Sequence, residues 1–300
     1  MKILLIGFGG IGKRHYESLI KDTKNSVYIS DLNLDFDIHE SYASRTYKVH
    51  NILSLIGESF DLLILATNAN IRAEMIEDLL SNINVKKIII EKPISQSICG
   101  LKVLKEIDKN IPIYVNFPQR YYPIYKNLKE LFIKSDFNLN VSGYNLGMAC
   151  NIWHYVDLVQ YITESTIETV EWSNVVWIPS KRLGFEEIDG ECFIQFTNNI
   201  QLNLSTSLNK EDPLIIRIQG PEKLDLIIEN YHFMSSSING FSSGDQVDVY
   251  QSNLTLEYLN DTSIKIPRLS DVYDSTLNVL RSILMLKYEQ FNDETRLPIT

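Results

Sequence analysis

The sequence is poor in cysteine, and this shortage excludes two classes of protein. Cys99, Cys150 and Cys192 are its three cysteines, and no CxxC pair or His-rich tract accompanies them. An odd number of unevenly spaced cysteines indicates neither a disulfide framework nor a structural zinc site. We therefore expect no metal and a reducing, cytoplasmic location.

Long apolar runs and an excess of positive charge are missing as well. The N-terminal apolar run stops at Gly7, and no later stretch is continuously apolar for the roughly 18 residues that a membrane helix needs. Acidic residues number 38 and basic residues 28. Binding to phosphate backbones needs a surplus of Lys and Arg, so nucleic acid is not an expected partner.

The 300 residues predict two domains, because a single hydrophobic core rarely extends over so long a chain. In the first part, apolar runs alternate with helical patterns. The expected strands are 3–6, 27–30, 62–65, 88–90 and 113–115, and the expected helices are 11–21, 71–80 and 101–109. This alternation is typical of an α/β, Rossmann-type parallel sheet, here covering residues 1–118.

After Pro118 the pattern changes. We expect helices at 124–133 and 152–162, a strand at 137–144, and a closing helix at 272–291. Between 170 and 257 the sequence consists mostly of short apolar segments joined by turn residues such as Asp189-Gly190 and Gly220-Pro221. Residues 119–300 are therefore predicted to form an α+β domain built on a mostly antiparallel sheet.

A glycine pattern follows the first predicted strand and opens the first predicted helix. Residues 7–12, Gly7-Phe8-Gly9-Gly10-Ile11-Gly12, match G-x-G-x-x-G. Gly7 permits a tight turn, Gly9 leaves no Cβ between backbone and pyrophosphate, and Gly12 lets helix and sheet approach closely. These six residues are predicted to bind a dinucleotide; the alternative is a plain strand-to-helix turn.

Asp31 ends the second predicted strand, near the spacing from the glycine pattern at which a ribose-binding acid is expected. A carboxylate there accepts hydrogen bonds from both ribose hydroxyls and repels a 2′-phosphate. Leu32 follows it, so no arginine is at hand for that phosphate. The predicted cofactor is NAD in preference to NADP; the alternative is a solvated turn residue.

Together these residues resemble the glucose–fructose oxidoreductase/inositol dehydrogenase family, called Gfo/Idh/MocA. Four features carry the resemblance: the glycine pattern, Ala66-Thr67 after a strand, Glu91-Lys92-Pro93 after the next strand, and a His-x-x-Asp helix at 154–157. The family implies a large, open sheet in the second domain and NAD(P)-linked redox chemistry on sugars or cyclitols. It also implies a cis bond before Pro93 and a homodimer or homotetramer.

Lys92 is the first catalytic candidate. It lies at the carboxyl end of a parallel strand, where ligands bind in doubly wound sheets. Burial and a positive nicotinamide ring would both disfavour its ammonium form, so Lys92 can take a proton from a substrate hydroxyl while hydride leaves the same carbon. Glu91 is expected beside it at the cofactor. The alternative is a surface lysine that caps a strand.

The second catalytic candidate is His154, together with Asn151. Asn151 is a plausible N-cap, which would place His154 in the first turn of its helix on the same face. The helix N-terminus disfavours an imidazolium, so a neutral His154 could hydrogen-bond the reacting oxygen beside Lys92. The alternative is a structural histidine. Asp157 is interpreted as a structural partner.

The sequence departs from the family at two places. Relatives commonly have Asp-x-Gly-x-His where this chain has Cys150 and Ile152 before His154, so the usual carboxylate is missing. They also have Thr-Pro-Asn-x-x-His where residues 67–72 read Thr67-Asn68-Ala69-Asn70-Ile71-Arg72. Thr67 and Asn68 are still expected to line the cofactor, and Arg72 is interpreted as a helix cap.

Three further residues complete the predicted site. Asn116 follows the strand 113–115 and is expected to bind the nicotinamide amide. Arg120 and Tyr121 fall where relatives have an Arg-aromatic pair, and both are assigned to the substrate. For Arg120, a domain-hinge contact or a purely structural role is left open as an alternative.

The sequence thus predicts an NAD-dependent dehydrogenase or reductase acting on a CH–OH group of a sugar-like substrate. The Ala-Cys-Asn-x-x-His variant at 149–154 resembles members associated with bacterial surface-glycan and nonulosonic-acid pathways, which favours an amino- or deoxy-sugar derivative. The alternative is a non-catalytic sensor of NAD or sugar on the same scaffold, because the family carboxylate is absent.

Overall fold

The computed structural model describes residues 1–132, 136–221, 224–235, 244–247, 255–260 and 266–300. Its strands are β1 Lys2–Ile6, β2 Ser26–Ser30, β3 Thr46–Lys48, β4 Ser59–Phe60, β5 Leu62–Leu65, β6 Asn84–Val85, β7 Ile88–Ile90, β8 Ile113–Val115, β9 Asn138–Tyr144, β10 Ile167–Pro179, β11 Glu186–Phe196, β12 Gln201–Ser207, β13 Ile215–Gln219, β14 Asp225–Glu229 and β15 His232–Ser235. Its α-helices are α1 Gly10–Leu19, α2 Glu40–Ala43, α3 Arg72–Leu80, α4 Ile98–Asp108, α5 Pro123–Phe132, α6 Met148–Thr163, α7 Thr255–Asn260 and α8 Leu269–Lys287.

The chain forms two compact units. Unit 1 comprises Met1–Pro118 and Tyr250–Tyr273, and unit 2 comprises Gln119–Val249 and Asp274–Thr300. The division after Pro118 coincides with the boundary expected from the sequence. The range 119–300, expected to be one continuous domain, is instead interrupted by a segment that belongs with unit 1.

Hydrogen bonds explain why this late segment belongs to unit 1. The Leu256 N–H donates to Ser18 Oγ at 2.9 Å, and the Val115 N–H donates to the carbonyl of Pro267 at 3.0 Å. Arg268 also pairs with Asp108, whose carboxylate is 2.9 Å from its Nε. Each contact joins residues more than 140 positions apart, which local patterns in the sequence do not reveal.

Unit 1 is built on a six-stranded parallel sheet with the strand order β3-β2-β1-β5-β7-β8. Its central strands are buried on both faces, and every residue of β5 has no exposed surface. Apolar residues at all positions of a strand are what a sheet covered on both sides requires. The polar residues of the predicted site therefore follow the strands, in the turns at their carboxyl ends. This is the Rossmann-type sheet that the sequence predicts.

Unit 2 contains a seven-stranded sheet with the order β10-β11-β12-β9-β13-β14-β15. Its strand pairs are antiparallel except for β9 with β12, which is parallel. Along β12 buried and less buried residues alternate, and α6 packs against β11 and β12. One face of the sheet thus contributes the core, as predicted for an α+β domain.

Some predicted boundaries differ from the observed ones. The segment 170–257 was expected to be mostly strands, but 255–257 begins α7. Residues 236–243 and 248–254 of that segment lie outside the described residues, as does Ile133, the predicted end of α5. None of the helices described combines the length and the apolar character needed to span a membrane.

Candidate functional site

The turn between β1 and α1 is closed towards the sheet and open at two glycines, Gly9 and Gly10. A Cβ on Gly12 would lie 1.9 Å from the carbonyl oxygen of Gly7, so α1 approaches this turn more closely than any side chain permits. Gly7 has a φ of +89°, and a Cβ there would lie 2.8 Å from the Ala66 oxygen. A Cβ on Gly9 would meet nothing within 4 Å. The space above Gly9 is therefore the kind that a diphosphate can occupy.

The N-terminus of α1 faces the same space. Gly9 is the N-cap residue and has no side chain to accept hydrogen bonds from the first turn. Gly10 is exposed and Ile11 is half-buried. The unsatisfied N–H groups of a first helical turn, aided by the helix dipole, favour an anion. Residues 7–12 thus fit the phosphates of a dinucleotide.

Asp31 lies directly beside this turn. Its carboxylate accepts hydrogen bonds from the backbone N–H of Phe8 and, at 2.8 Å, from that of Asn33. The Gly7 N–H donates to the carbonyl of Ser30 at 2.9 Å, which joins the ends of β1 and β2. Asp31 is therefore held at a fixed place next to the glycine turn of residues 7–12, where a ribose hydroxyl could be bound.

Glu91 lies in a buried hydrogen-bond network. Its Oε1 lies 2.7 Å from His15 Nε2 and accepts a bond from Asn116 Nδ2, also at 2.7 Å. The other ring nitrogen of His15 is 2.6 Å from Thr255 Oγ1. His15 has no exposed surface, and Asn116 is 2% exposed. The carboxylate that was expected at the cofactor is thus engaged with three side chains of unit 1, directly or through His15.

The charge of Glu91 is maintained by these partners. Burial alone would raise the pKa of the Glu91 carboxyl, but the hydrogen bond and charge of His15, the hydrogen bond from Asn116 and the charge of Arg72 together hold it below its ordinary value. Glu91 is therefore an ionised, buried carboxylate immediately before Lys92.

Sequence reasoning missed His15. The buried positions of α1 are Gly12, His15, Tyr16, Ser18 and Leu19. The histidine therefore lies on the buried face of α1, which also carries the last glycine of the pattern. A polar, titratable residue on that face was the available signal. Its partner Glu91 is 76 positions further along the chain, and nothing local indicates the pairing.

Lys92 follows Glu91 at the carboxyl end of β7. Its side chain is half-buried between two buried neighbours, Glu91 and Pro93. The Lys92–Pro93 peptide bond is cis, which is what the family resemblance implies. The lysine is thus held in a turn whose two flanking residues are fixed by packing and hydrogen bonds.

Arg72 does not act as a helix cap, contrary to the interpretation from sequence. The guanidinium is 1% exposed. Nη1 donates to the carbonyls of Glu91 at 2.5 Å, of Ile94 at 3.1 Å and of Pro93. Nη2 donates to the carbonyl of Thr67 at 2.6 Å. The side chain turns into the protein, where the guanidinium supplies hydrogen-bond donors to these carbonyls at the ends of β5 and β7.

Burial lowers the pKa of Arg72 to about 10, while the charge of Glu91 acts in the opposite direction. The guanidinium therefore stays protonated at neutral pH. A buried positive charge, that of Arg72, and a buried negative charge, that of Glu91, thus both lie next to Lys92.

Thr67 and Asn68 occupy the turn after β5, as expected, and both are half-buried. The hydroxyl oxygen of Thr67 is buried and makes no hydrogen bond within the described part of the chain. A buried hydroxyl in this state costs free energy unless a partner binds it. This supports the expectation that a ligand contacts the turn.

In unit 2, the helix that carries His154 begins earlier than the sequence suggests. The N-cap of α6 is Gly147, whose φ is +61°, because a left-handed conformation suits glycine better than asparagine. Asn151 lies inside the helix, and its Nδ2 donates to the carbonyl of Leu146 at 2.6 Å. The predictions that Asn151 is the N-cap and that His154 lies in the first turn are both wrong. His154 is half-buried in the second turn, where the helix dipole acts less strongly.

A buried carboxylate lies next to the same helix start. Glu187 on β11 is 7% exposed, and its Oε2 accepts a hydrogen bond from the Cys150 N–H at 3.4 Å. A Cβ on Gly147 would lie 3.5 Å from the other oxygen of Glu187, Oε1, and 3.4 Å from Asn151 Nδ2. The position where relatives carry an aspartate holds Cys150, yet a carboxylate reaches this place from a different element. Sequence reasoning missed Glu187, which lies 37 positions from Cys150.

Arg120, assigned to the substrate from the sequence, is paired with Asp157. Arg120 Nε donates to one carboxylate oxygen at 2.9 Å and Nη2 to the other. Burial raises the pKa of Asp157, and the charge and hydrogen bonds of Arg120 partly offset this effect. Tyr121 is 5% exposed, with the amine of Lys126 5.2 Å from its ring. Asp157 is thus a structural partner, and substrate contacts of Arg120 and Tyr121 stay predictions.

Comparison with solved structures identifies the fold. A UDP-N-acetylglucosamine 3-dehydrogenase (GnnA) from Acidithiobacillus ferrooxidans has a TM-score of 0.65 and 13% identity, with 95% of this chain and 96% of that chain covered. A dehydrogenase (MviM) from Clostridium difficile has a TM-score of 0.67 and 15% identity, with coverages of 95% and 99%. Both are Gfo/Idh/MocA-type dehydrogenases.

This chain has the Gfo/Idh/MocA fold. The family resemblance inferred from the residues is thereby confirmed at the level of fold. The same fold occurs in a super-repressor mutant of Gal80p from Saccharomyces cerevisiae, with a TM-score of 0.69, 16% identity and 98% of each chain covered. No protein-family model and no curated protein sequence matches the chain.

The Gfo/Idh/MocA fold places the residues of unit 1 that fit a dinucleotide at one edge of its sheet. They follow β1, β2, β5, β7 and β8, whose carboxyl ends lie side by side. No group of three His, Cys, Asp or Glu side chains that could hold a metal ion occurs among residues that the structure describes. The groups at this edge that fit a dinucleotide are backbone N–H groups, hydroxyls, amides, the Asp31 carboxylate and Lys92.

Proposed function

We propose that this protein is an NAD-dependent oxidoreductase that moves a hydride to or from a hydroxyl-bearing carbon of a sugar or sugar derivative. One observation carries the proposal: Lys92 lies in a turn bound directly to the turns that fit a dinucleotide. A Cβ on Gly7 would lie 2.8 Å from the Ala66 oxygen, which leads into Thr67. Arg72 joins Thr67 to Glu91, and Glu91 binds Asn116.

The proposed cofactor is NAD. Asp31 beside the phosphate-binding turn accepts backbone hydrogen bonds with both oxygens and retains lone pairs for ribose hydroxyls. Its charge would repel a 2′-phosphate, and the exposed Leu32 next to it offers no compensating cation. Isothermal titration should therefore give a lower Kd for NAD⁺ than for NADP⁺.

A bound nicotinamide would supply the two-electron acceptor or donor. The residues of the chain handle the proton: as the hydroxyl O–H bond breaks and the carbonyl forms, the Lys92 amine takes the proton, and in the reverse direction the ammonium returns it. The half-buried position of Lys92 limits water around the amine. Asn151 and His154 are proposed to position the substrate oxygen.

The proposed substrate class is an amino- or deoxy-sugar derivative in bacterial surface-glycan or nonulosonic-acid synthesis. Similarity to a structure described as a UDP-N-acetylglucosamine 3-dehydrogenase supports a nucleotide-activated sugar as the first class to try. We also propose a cytoplasmic homodimer or homotetramer, whose mass sedimentation velocity would measure.

The proposal is tested by incubating the protein with NAD⁺ and a panel of sugars, uronic acids and nucleotide-activated sugars, and following absorbance at 340 nm. In Lys92→Ala, turnover should fall by about 10²–10⁴-fold, the usual contribution of a general acid–base group. The Kd for NAD⁺ should change by less than about twofold.

Lys86→Ala is the matched control. Its side chain is 77% exposed and pairs with Asp61 on the surface, so turnover should remain at the wild-type rate. Unchanged turnover in Lys92→Ala would remove the lysine from the mechanism.

A second candidate is a non-catalytic sensor of dinucleotide or sugar. It is favoured by the similarity to a Gal80p structure and by Cys150 at the position of the family aspartate. A sensor would bind NAD⁺ and a sugar without any change in absorbance at 340 nm. Reduction of NAD⁺ by any member of the panel at enzymatic rates would exclude this candidate.

A further inference from the structure

The end of β5 and the end of β7 are joined by a single buried side chain. Arg72 donates to the Thr67 carbonyl in the first turn and to the carbonyls of Glu91, Pro93 and Ile94 in the second. Arg72 is the first residue of α3, so the helix backbone fixes the point from which its side chain extends. The carbonyls it binds flank Lys92 on both sides.

We propose that Arg72 is the positioning residue of the nicotinamide half of the dinucleotide site: it sets the separation of the Thr67 turn and the Lys92 turn. This inference rests on the proposed function. Arg72 itself touches no reacting atom, because Nη1 and Nη2 donate to protein carbonyls and Nε is buried inside the protein.

Three features of the geometry support this role. The guanidinium is planar and presents donors in two directions at once, so its two terminal nitrogens can reach different turns. Arg72 is 1% exposed. Water therefore cannot replace its guanidinium as the hydrogen-bond donor to these carbonyls. The hydroxyl of Thr67, within the turn that Arg72 holds, is buried without a partner in the part of unit 1 that is described. The turn is thus fixed in place with a polar group available to a ligand.

Arg72 makes none of the described hydrogen bonds that hold the adenosine half of the site. Residues 7–12 and Asp31 are held by their own contacts among β1, β2 and α1. A defect at Arg72 should therefore weaken contacts with the nicotinamide while leaving those with the diphosphate and adenosine unchanged. A loss of general stability would weaken both halves alike.

ADP-ribose separates these two effects, because it carries the adenosine, both phosphates and both riboses of NAD but lacks the nicotinamide. The experiment measures Kd by calorimetry for NAD⁺ and ADP-ribose with the full chain, as wild type, Arg72→Lys and Arg72→His. Lysine keeps the charge but has one nitrogen, which cannot reach both turns. We expect the ratio of the Kd for NAD⁺ to that for ADP-ribose to rise about tenfold in both variants.

Arg45→Lys is the matched control. Arg45 also lies in unit 1, is half-buried, and donates to three backbone carbonyls, those of Ile20, Asp22 and Asn25. It should lower the melting temperature without changing the ratio. A ratio that stays constant in Arg72→Lys and Arg72→His, whatever their melting temperature, would overturn the inference.

Hydrogen exchange of the wild type provides a test that does not depend on folding of the variants. NAD⁺ should slow amide exchange in 66–70 and 91–95 more than ADP-ribose does, and both ligands should slow it equally in 7–12. Equal effects of both ligands on 91–95 would refute the positioning role. If the wild type binds neither ligand, the proposed function itself fails and the inference fails with it.

Discussion

Replacing His15 with leucine should destabilise unit 1 more strongly than most single substitutions in a core. The imidazole has no exposed surface and lies between Glu91 Oε1 at 2.7 Å and Thr255 Oγ1 at 2.6 Å. Leucine fills a similar volume, so the change removes the hydrogen-bond partner of Glu91 without opening a large cavity.

The magnitude follows from the state in which Glu91 is left. Removing one partner of a buried, hydrogen-bonded charged pair costs about 3–5 kcal/mol. At about 2–4 °C per kcal/mol for a chain of this size class, the melting temperature should fall by about 6–20 °C. Asn116 and Arg72 remain near the carboxylate, which keeps the expected loss within this range.

The pH dependence of the loss identifies its cause. The folded-state pKa of Glu91 lies below the ordinary value of 4.5, so the stability that its ionised form contributes is present above that value. It is lost as the pH falls through the lower folded-state pKa. The difference in melting temperature between wild type and His15→Leu should therefore be full at pH 7 and should shrink as the pH falls below 4.5 towards the lower folded-state pKa of Glu91.

The assay is differential scanning calorimetry from pH 3 to pH 8 on wild type, His15→Leu, Glu91→Leu and the double variant. Because the two side chains contact each other, the double variant should be less destabilised than the sum of the single ones. His50→Leu, at an exposed histidine, is the control and should change stability by less than about 0.5 kcal/mol. Additive effects of the single variants, or a loss independent of pH, would refute the reasoning.

Two further predictions concern the cofactor half of unit 1. Gly12→Ala places a Cβ 1.9 Å from the Gly7 oxygen, so the turn must move. The Kd measured by calorimetry should rise at least about tenfold for both NAD⁺ and ADP-ribose. An unchanged Kd would mean that the dinucleotide binds elsewhere. Asp31→Ala removes the charge beside the phosphate-binding turn; the ratio of the Kd for NADP⁺ to that for NAD⁺ should fall by about tenfold or more, and a constant ratio would show that Asp31 does not select the cofactor.

The glycine turn illustrates what local sequence reveals. This turn requires a tight bend, an open position and a close approach of helix and sheet. Three glycines within six residues meet these requirements. The strand before it and the helix after it have their own periodic patterns. The position of Lys92 after β7 follows in the same way, because the carboxyl end of a buried parallel strand is recognisable from the residues themselves.

The errors have a common physical origin. Asn151 was interpreted as an N-cap because asparagine suits that position, but Gly147 begins the helix four residues earlier by adopting a left-handed conformation. Arg72, at the position where relatives have a histidine, was interpreted as a cap of its helix. Only the neighbouring turns, with their carbonyls, decide that this guanidinium is buried.

Local patterns in the sequence predict the parallel sheet of unit 1, its glycine turn and the place of Lys92, because each depends on contiguous residues. The pairing of Glu91 with His15 and Asn116, and the attachment of 255–260 to unit 1, arise only when the chain folds. It also brought Glu187 to the start of α6. Hydrogen bonds to buried charges are chosen by proximity in space, and a sequence records only proximity along the chain.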